Sequence, residues 1–279
     1  MKIHKIDCGT FKCDAGALFG VIPKPLWSRV YSSDEYNRCQ LNMRNLLIEE
    51  GNRKILIDVG SGMNYSEKYI RNNSLDAGSK LYESLNQVGV DPSDITDIIF
   101  THLHWDHSCG AFDVGNGEFG ELFPNANYFV SRAQWDNAHA DNPRENAAYH
   151  IKDLDLMEKS GRLFLLDKDD QPFQDYITLF YMDGHTLGQI IPVLHHSNGE
   201  SIVFTADFIP TLAHVSNVWV AAYDLFPLIA MKEKESFLRK VVDNKWVLFF
   251  QHDAYCETAN VILNNSTFKG SPVDTFTLS

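Results

Sequence analysis

No apolar run in the chain approaches the length needed to cross a bilayer. The first residues, Met1-Lys2-Ile3-His4-Lys5-Ile6-Asp7, place charges where a secretory leader needs an apolar core. A cytoplasmic protein with no membrane partner is the expectation. Cysteine is scarce: Cys8, Cys13, Cys39, Cys109 and Cys256 make an odd five, none in a CxxC pair. That spacing excludes a disulfide framework and a cysteine metal knuckle, so the thiols are expected to be reduced and mostly structural. Cys109 alone stands near other chemistry, two residues past His107. Positive charge is also short, with 24 Lys and Arg against 37 Asp and Glu and a formal net charge of −13. Affinity for nucleic acid comes largely from cations that neutralise phosphates, so no nucleic-acid partner is expected. Low-complexity tracts, short repeats and a regular βαβ rhythm are absent too, which excludes solenoids and a doubly wound sheet.

What is present is a 279-residue chain that is 44% hydrophobic, expected to fold as a single domain over 1–279. Alternating or apolar runs predict strands at 1–7, 42–49, 54–59, 95–101, 126–130, 177–182, 190–195, 201–205 and 246–250. Gly51-Asn52 and Asn198-Gly199 mark hairpin turns. Helical spacing predicts helices over 79–88 and 232–242, and 135–160 reads as helical between two strands. Hairpins and strands interspersed with helices give an α/β (α+β) sandwich. The segments 17–27 and 209–228 carry Phe19, Trp27, Trp219, Tyr223 and Phe226, residues that either fill the core or cover a site.

The densest chemistry is His102-Leu103-His104-Trp105-Asp106-His107, directly behind the strand-like Ile98-Ile99-Phe100. A loop at a strand end can aim all four polar side chains at one point. Three imidazoles and a carboxylate suit zinc or a similar borderline metal better than a hard cation. One loop cannot complete a catalytic metal site, so the ends of later strands matter. The run 177–182 leads to Asp183-Gly184-His185, 201–205 to Ala206-Asp207, and 246–250 to Gln251-His252.

This order, HxHxDH followed by a His, an Asp and a final His, resembles the metallo-β-lactamase superfamily of metallohydrolases over residues 45–252. The resemblance implies an αββα four-layer sandwich and a cofactor of two divalent ions, zinc in the first place. It assigns His102, His104 and His185 to one ion and Asp106, His107 and His252 to the other, with Asp207 bridging both. Asp58, which closes Ile55-Leu56-Ile57-Asp58, matches the acidic residue that orients a ligand histidine. Class B β-lactamases commonly carry Cys where Asp207 stands, and flavodiiron enzymes carry Glu where His104 stands; neither change is present.

Residues 16–23 and 206–214 are similar to the N-acyl-homoserine lactone lactonases and methyl parathion hydrolases. The resemblance therefore implies a hydrolase that opens a lactone or cleaves a related ester, with quorum quenching as its setting. A phosphotriesterase or organophosphate hydrolase is the alternative, and a non-catalytic metal-binding sensor a third reading. Asp106 and Asp207 are the expected catalytic residues, Asp106 passing a proton to the departing alkoxide. Phe19, Trp27, Trp105 and Phe112 are expected to hold an acyl chain. Pro210 departs from the pattern, because lactonases of this type have a tyrosine there, so either another donor such as His214 or Tyr223 substitutes or the substrate differs. A homodimer through the apolar stretch 19–27 is a further expectation.

Overall fold

Leu46-Leu47-Ile48, Ile55-Leu56-Ile57 and Ile98-Ile99-Phe100 are fully buried, as continuous apolar triplets are in strands covered on both faces. In a computed structural model that describes residues 1–62, 65–76, 80–112, 120–167 and 172–273, all but Phe100, which directly follows its strand, belong to a six-stranded sheet. Its strands, in spatial order, are β1 (Lys2–Asp14), β2 (Arg38–Glu50), β3 (Arg53–Ile57), β4 (Asp97–Ile99), β5 (Asn127–Ser131) and β6 (Leu163–Leu166). β2 and β3 form the expected hairpin, with Glu50 opposite Arg53 and Gly51 at φ 59° in the turn. From β3 to β6 neighbouring strands run parallel. Parallel pairing brings the ends of β3 and β4 side by side: Ile57 faces Ile99, and the Asp58 N–H donates to the Ile99 carbonyl at 3.0 Å. Asp58 and the HxHxDH loop therefore leave the sheet at one edge.

The second sheet follows the same logic. It runs β7 (Pro172–Gln174), β8 (Ile177–Met182), β9 (Gln189–His195), β10 (Ser201–Phe204), β11 (Val247–Phe249), β12 (Thr258–Asn264) and β13 (Thr267–Pro272), in sequence order across the sheet. β10 and β11 are parallel and every other neighbouring pair is antiparallel. Two antiparallel steps give β8 the same direction as β10, so β8, β10 and β11 end at one edge. His185, Asp207 and His252 follow those three ends. The helix Pro227–Asn244 lays Phe237, Leu238 and Val241 against Val193, Val203 and Leu248, burial that contributes roughly 1.5–3 kcal/mol per large side chain.

The chain divides into two compact units, Met1–Phe11 with Met43–Asp167, and Lys12–Asn42 with the described residues from Pro172 onward; the division falls inside β1 and β2. Two sheets with helices bear out the mixed α/β class.

Several elements differ from their sequence-based bounds. The run 95–101 contributes only Asp97–Ile99 to the ladder, and β1 continues to Asp14. The helix expected over 79–88 spans Lys80–Gln87, with Ser79 outside the described residues. The segment 135–160 is not one helix but two, Arg132–His139 and Ile151–Lys159, with a 3-10 turn at Asn146–Ala148. The break contains Asn142-Pro143, and a residue before proline is pushed out of helical conformation. The helix expected over 232–242 starts earlier, at Pro227, because proline suits a first helical turn, where its missing N–H costs nothing. Within 17–27, Phe19 and Trp27 are buried while Val21 is 93% exposed. All five cysteines are free. Among the described residues, no helix is long and apolar enough to cross a membrane.

Candidate functional site

The first unit holds His102, His104, Asp106, His107 and Asp58. β4 ends two residues before Thr101, the chain extends through His104, and the short helix Trp105–Ser108 turns Asp106 and His107 back. Gly110 allows that turn to sit close to the loop after β3: a Cβ there would come within 2.1 Å of the Val59 carbonyl oxygen. The rings of His102 and His107 lie 3.9 Å apart, centroid to centroid.

Asp58 collects three hydrogen bonds, from the Thr101 N–H at 2.7 Å, the Thr101 hydroxyl at 2.7 Å and His107 Nδ1 at 2.8 Å. An ionised carboxylate can only accept, so His107 carries its proton on Nδ1 and keeps the Nε2 lone pair. The Thr101 hydroxyl has spent its one proton on Asp58. Its oxygen therefore accepts from His102 Nδ1, 3.1 Å away, which leaves the lone pair of His102 on Nε2. His104 is turned the other way: its Nε2 donates to Glu145 at 2.9 Å, and its lone pair is on Nδ1. Tyr149 Oη and Asn137 Nδ2 hold Glu145 in place at 2.7 and 2.8 Å.

These assignments put two lone pairs face to face. His102 Nε2 and His104 Nδ1 are 3.0 Å apart with no ring proton between them. Such a contact is repulsive unless positive charge, an extra proton or a shared cation, sits between the nitrogens.

The second unit repeats the pattern. His185 donates from Nδ1 to Asp224 at 2.8 Å, and His252 donates from Nδ1 to the Asn42 carbonyl at 2.7 Å. Both therefore present Nε2 lone pairs. They face Asp207, with His185 Nε2 3.1 Å from Oδ2 and His252 Nε2 2.7 Å from Oδ1. Ala206, with φ 44°, makes the bend that delivers Asp207. Two imidazole lone pairs aimed at the two oxygens of one carboxylate again require positive charge between them. The donor set, nitrogen and carboxylate oxygen with each outer nitrogen hydrogen-bonded, fits zinc-type ions.

The remaining sequence candidates fall as follows. Trp105 packs its ring against Phe11, Tyr65 and Tyr69. Phe112 is fully buried and packs on Tyr128. Phe19 is stacked between Trp27 and His214, at 5.1 and 5.2 Å. His214 is buried and uses both ring nitrogens, accepting from Thr211 Oγ1 at 2.7 Å and donating to the Leu18 carbonyl at 2.9 Å. Burial, with the nearby Lys234 charge, pushes its pKa down to about 3, so the ring is neutral. Tyr223, partly exposed, stands edge-on to His185 with centroids 5.7 Å apart.

Three residues that position histidines were missed in the sequence. Thr101 adjoins the motif and could have been suspected. Glu145 and Asp224 lie in stretches without strand or motif, and no sequence signal marks them.

The Metallo-beta-lactamase superfamily model matches residues 45–252. N-acyl homoserine lactonase AttM of Rhizobium johnstonii is 26% identical over 144 residues, 50% of this chain and 51% of that protein, so the match spans about half the relative's length. A probable metal-dependent hydrolase from Staphylococcus aureus superposes with TM-score 0.86 at 31% identity, covering 98% of this chain and 97% of the other. AidC, a dizinc quorum-quenching lactonase in complex with a product N-hexanoyl-L-homoserine, superposes with TM-score 0.78 at 21% identity, covering 98% and 95%.

Proposed function

The chain belongs to the metallo-β-lactamase superfamily, and from that premise we propose that it is a metal-dependent hydrolase that opens a lactone ring, an N-acyl homoserine lactone before a simple ester. The observation that carries the reading is the set of facing lone pairs, His102 against His104, and His185 and His252 against Asp207. In this reading His102, His104 and His185 would hold one zinc ion and Asp106, His107 and His252 a second, with Asp207 contributing to the site as the family's order implies.

Two such ions, when bound, supply a water that ionises near neutral pH and an electrophile for the lactone carbonyl. The protein's own groups do the rest. Asp58, Thr101, Glu145, Asp224 and the Asn42 carbonyl fix which nitrogen of each ring faces inward. Asp106 carries a proton to the alkoxide released on ring opening. Because His214 spends both nitrogens inside the fold, Tyr223 is the donor proposed for the role vacated at Pro210. Of the aromatic candidates, Trp105 is the one proposed to meet an acyl chain, since Phe19 and Phe112 are fully buried and Trp27 nearly so.

The test is acid release from zinc-loaded protein with acyl-homoserine lactones of several chain lengths, beside an aryl phosphotriester. Lactone opening should give the higher kcat/KM, and His104→Ala or Asp207→Ala should lower it by about 100-fold or more. Unchanged turnover in both variants, or fewer than one metal per purified chain, overturns the reading.

A further inference from the structure

We propose a third cation site, separate from the ligands above, formed by Cys109, His150 and Asp153. Their ligand atoms, one sulfur, one ring nitrogen and one carboxylate oxygen, all lie within 4.8 Å of one another. All three belong to the unit containing Met43–Asp167. Cys109 opens the 3-10 turn Cys109–Phe112, His150 occupies the N-cap of the helix Ile151–Lys159, and Asp153 lies in that helix's first turn.

The spacing of His150 and Asp153 suits coordination better than hydrogen bonding. His150 Nδ1 and Asp153 Oδ2 are 3.7 Å apart, too far for a hydrogen bond. Two ligands about 2.1 Å from one tetrahedral ion stand about 3.4 Å apart, so a shift of a few tenths of an ångström would seat them. The Cys109 sulfur and an Asp153 carboxylate oxygen lie within that same 4.8 Å, so those two donors are neighbours before any ion arrives.

A plainer role for Asp153, complementing the helix N-terminus, requires neither its burial nor a thiol beside it. His150 makes no side-chain cap bond, and its side chain is 34% exposed, which gives an ion a route in. A thiolate with an imidazole and a carboxylate selects a borderline ion of the zinc or cobalt class over magnesium or calcium. Binding forms an Sγ–metal bond and sends the thiol proton to solvent. The ion would tie the turn after HxHxDH to the segment 140–150, which carries Glu145 and through it the orientation of His104.

The test is a cobalt(II) titration of the full chain after a chelator has removed its metals. Among the described residues, no other cysteine joins a group of metal-ligating side chains, so a thiolate-to-cobalt charge-transfer band in the near ultraviolet reports this site. The band should appear in the unaltered chain and vanish in Cys109→Ala, with one fewer metal bound per chain. His150→Ala, at a partly exposed position, should weaken the cobalt affinity read from the same band by about tenfold or more. Absence of the band in the unaltered chain, its survival in Cys109→Ala, or unchanged affinity in His150→Ala overturns the proposal.

Discussion

His185 gives its Nδ1 proton to Asp224, and that one hydrogen bond decides which nitrogen faces Asp207. An amide at position 224 could donate as well as accept, so Asp224→Asn no longer enforces the inward lone pair. Metal affinity measured by competition with a chromophoric chelator should fall about 10- to 100-fold while the fold stays intact. Asp58 holds His107 in the same way, yet the two carboxylates differ in how far the sequence reveals them. Asp58 closes an apolar strand, a position where an acidic residue stands out. Asp224 lies in Ala221-Ala222-Tyr223-Asp224-Leu225-Phe226, where nothing local separates it from an ordinary loop acid.

At the scale of elements, strand direction collects the site. β8, β10 and β11 share one direction, so residues far apart in the chain leave their sheet at the same edge. Ala206 at φ 44° is part of that arrangement, a left-handed residue with a Cβ that costs roughly 1–2 kcal/mol and turns Asp207 toward the two histidines. The helix Pro227–Asn244 adds a second constraint through Lys234, whose Nζ donates to the carbonyls of His214 at 3.0 Å and Trp219 at 2.7 Å.

Burial lowers the Lys234 pKa from the ordinary 10.5 to about 8. Between those values the unfolded chain binds more protons than the folded one, so stability contributed by this group rises with pH across the window. Below about 8 the burial penalty is fully present, up to about 3 kcal/mol. Denaturant midpoints should therefore rise from pH 8 towards 10.5 relative to Lys234→Met, whose curve lacks this component. Parallel curves would show that Lys234 stays charged.

For the molecule as a whole, ligand atoms that repel one another in the absence of positive charge make metal binding a folding term. An ion held at 1,000 times its Kd stabilises by about 4 kcal/mol. Stripping metal should lower Tm by roughly 10 °C for a chain of this size, and added zinc should restore it. Calorimetry before and after chelation checks this, and an unchanged Tm would mean that the facing nitrogens are relieved by protons instead.

The sequence by itself determined the HxHxDH motif, the order of the His and Asp residues that follow later strands, and the mixed α/β class, because an apolar run leading to a His or Asp is a local pattern. It read 135–160 as helical and did not place the break at Asn142-Pro143, where helical spacing on both sides outweighed the proline between them. Only the tertiary structure decided which nitrogen of each ring faces inward and that His214 is committed to the fold. Those outcomes depend on hydrogen bonds between residues 39, 41, 196 and 210 positions apart, from His185 to Asp224, His104 to Glu145, His214 to Leu18 and His252 to Asn42. No local pattern encodes such pairings, since the chain must first fold before either partner meets the other.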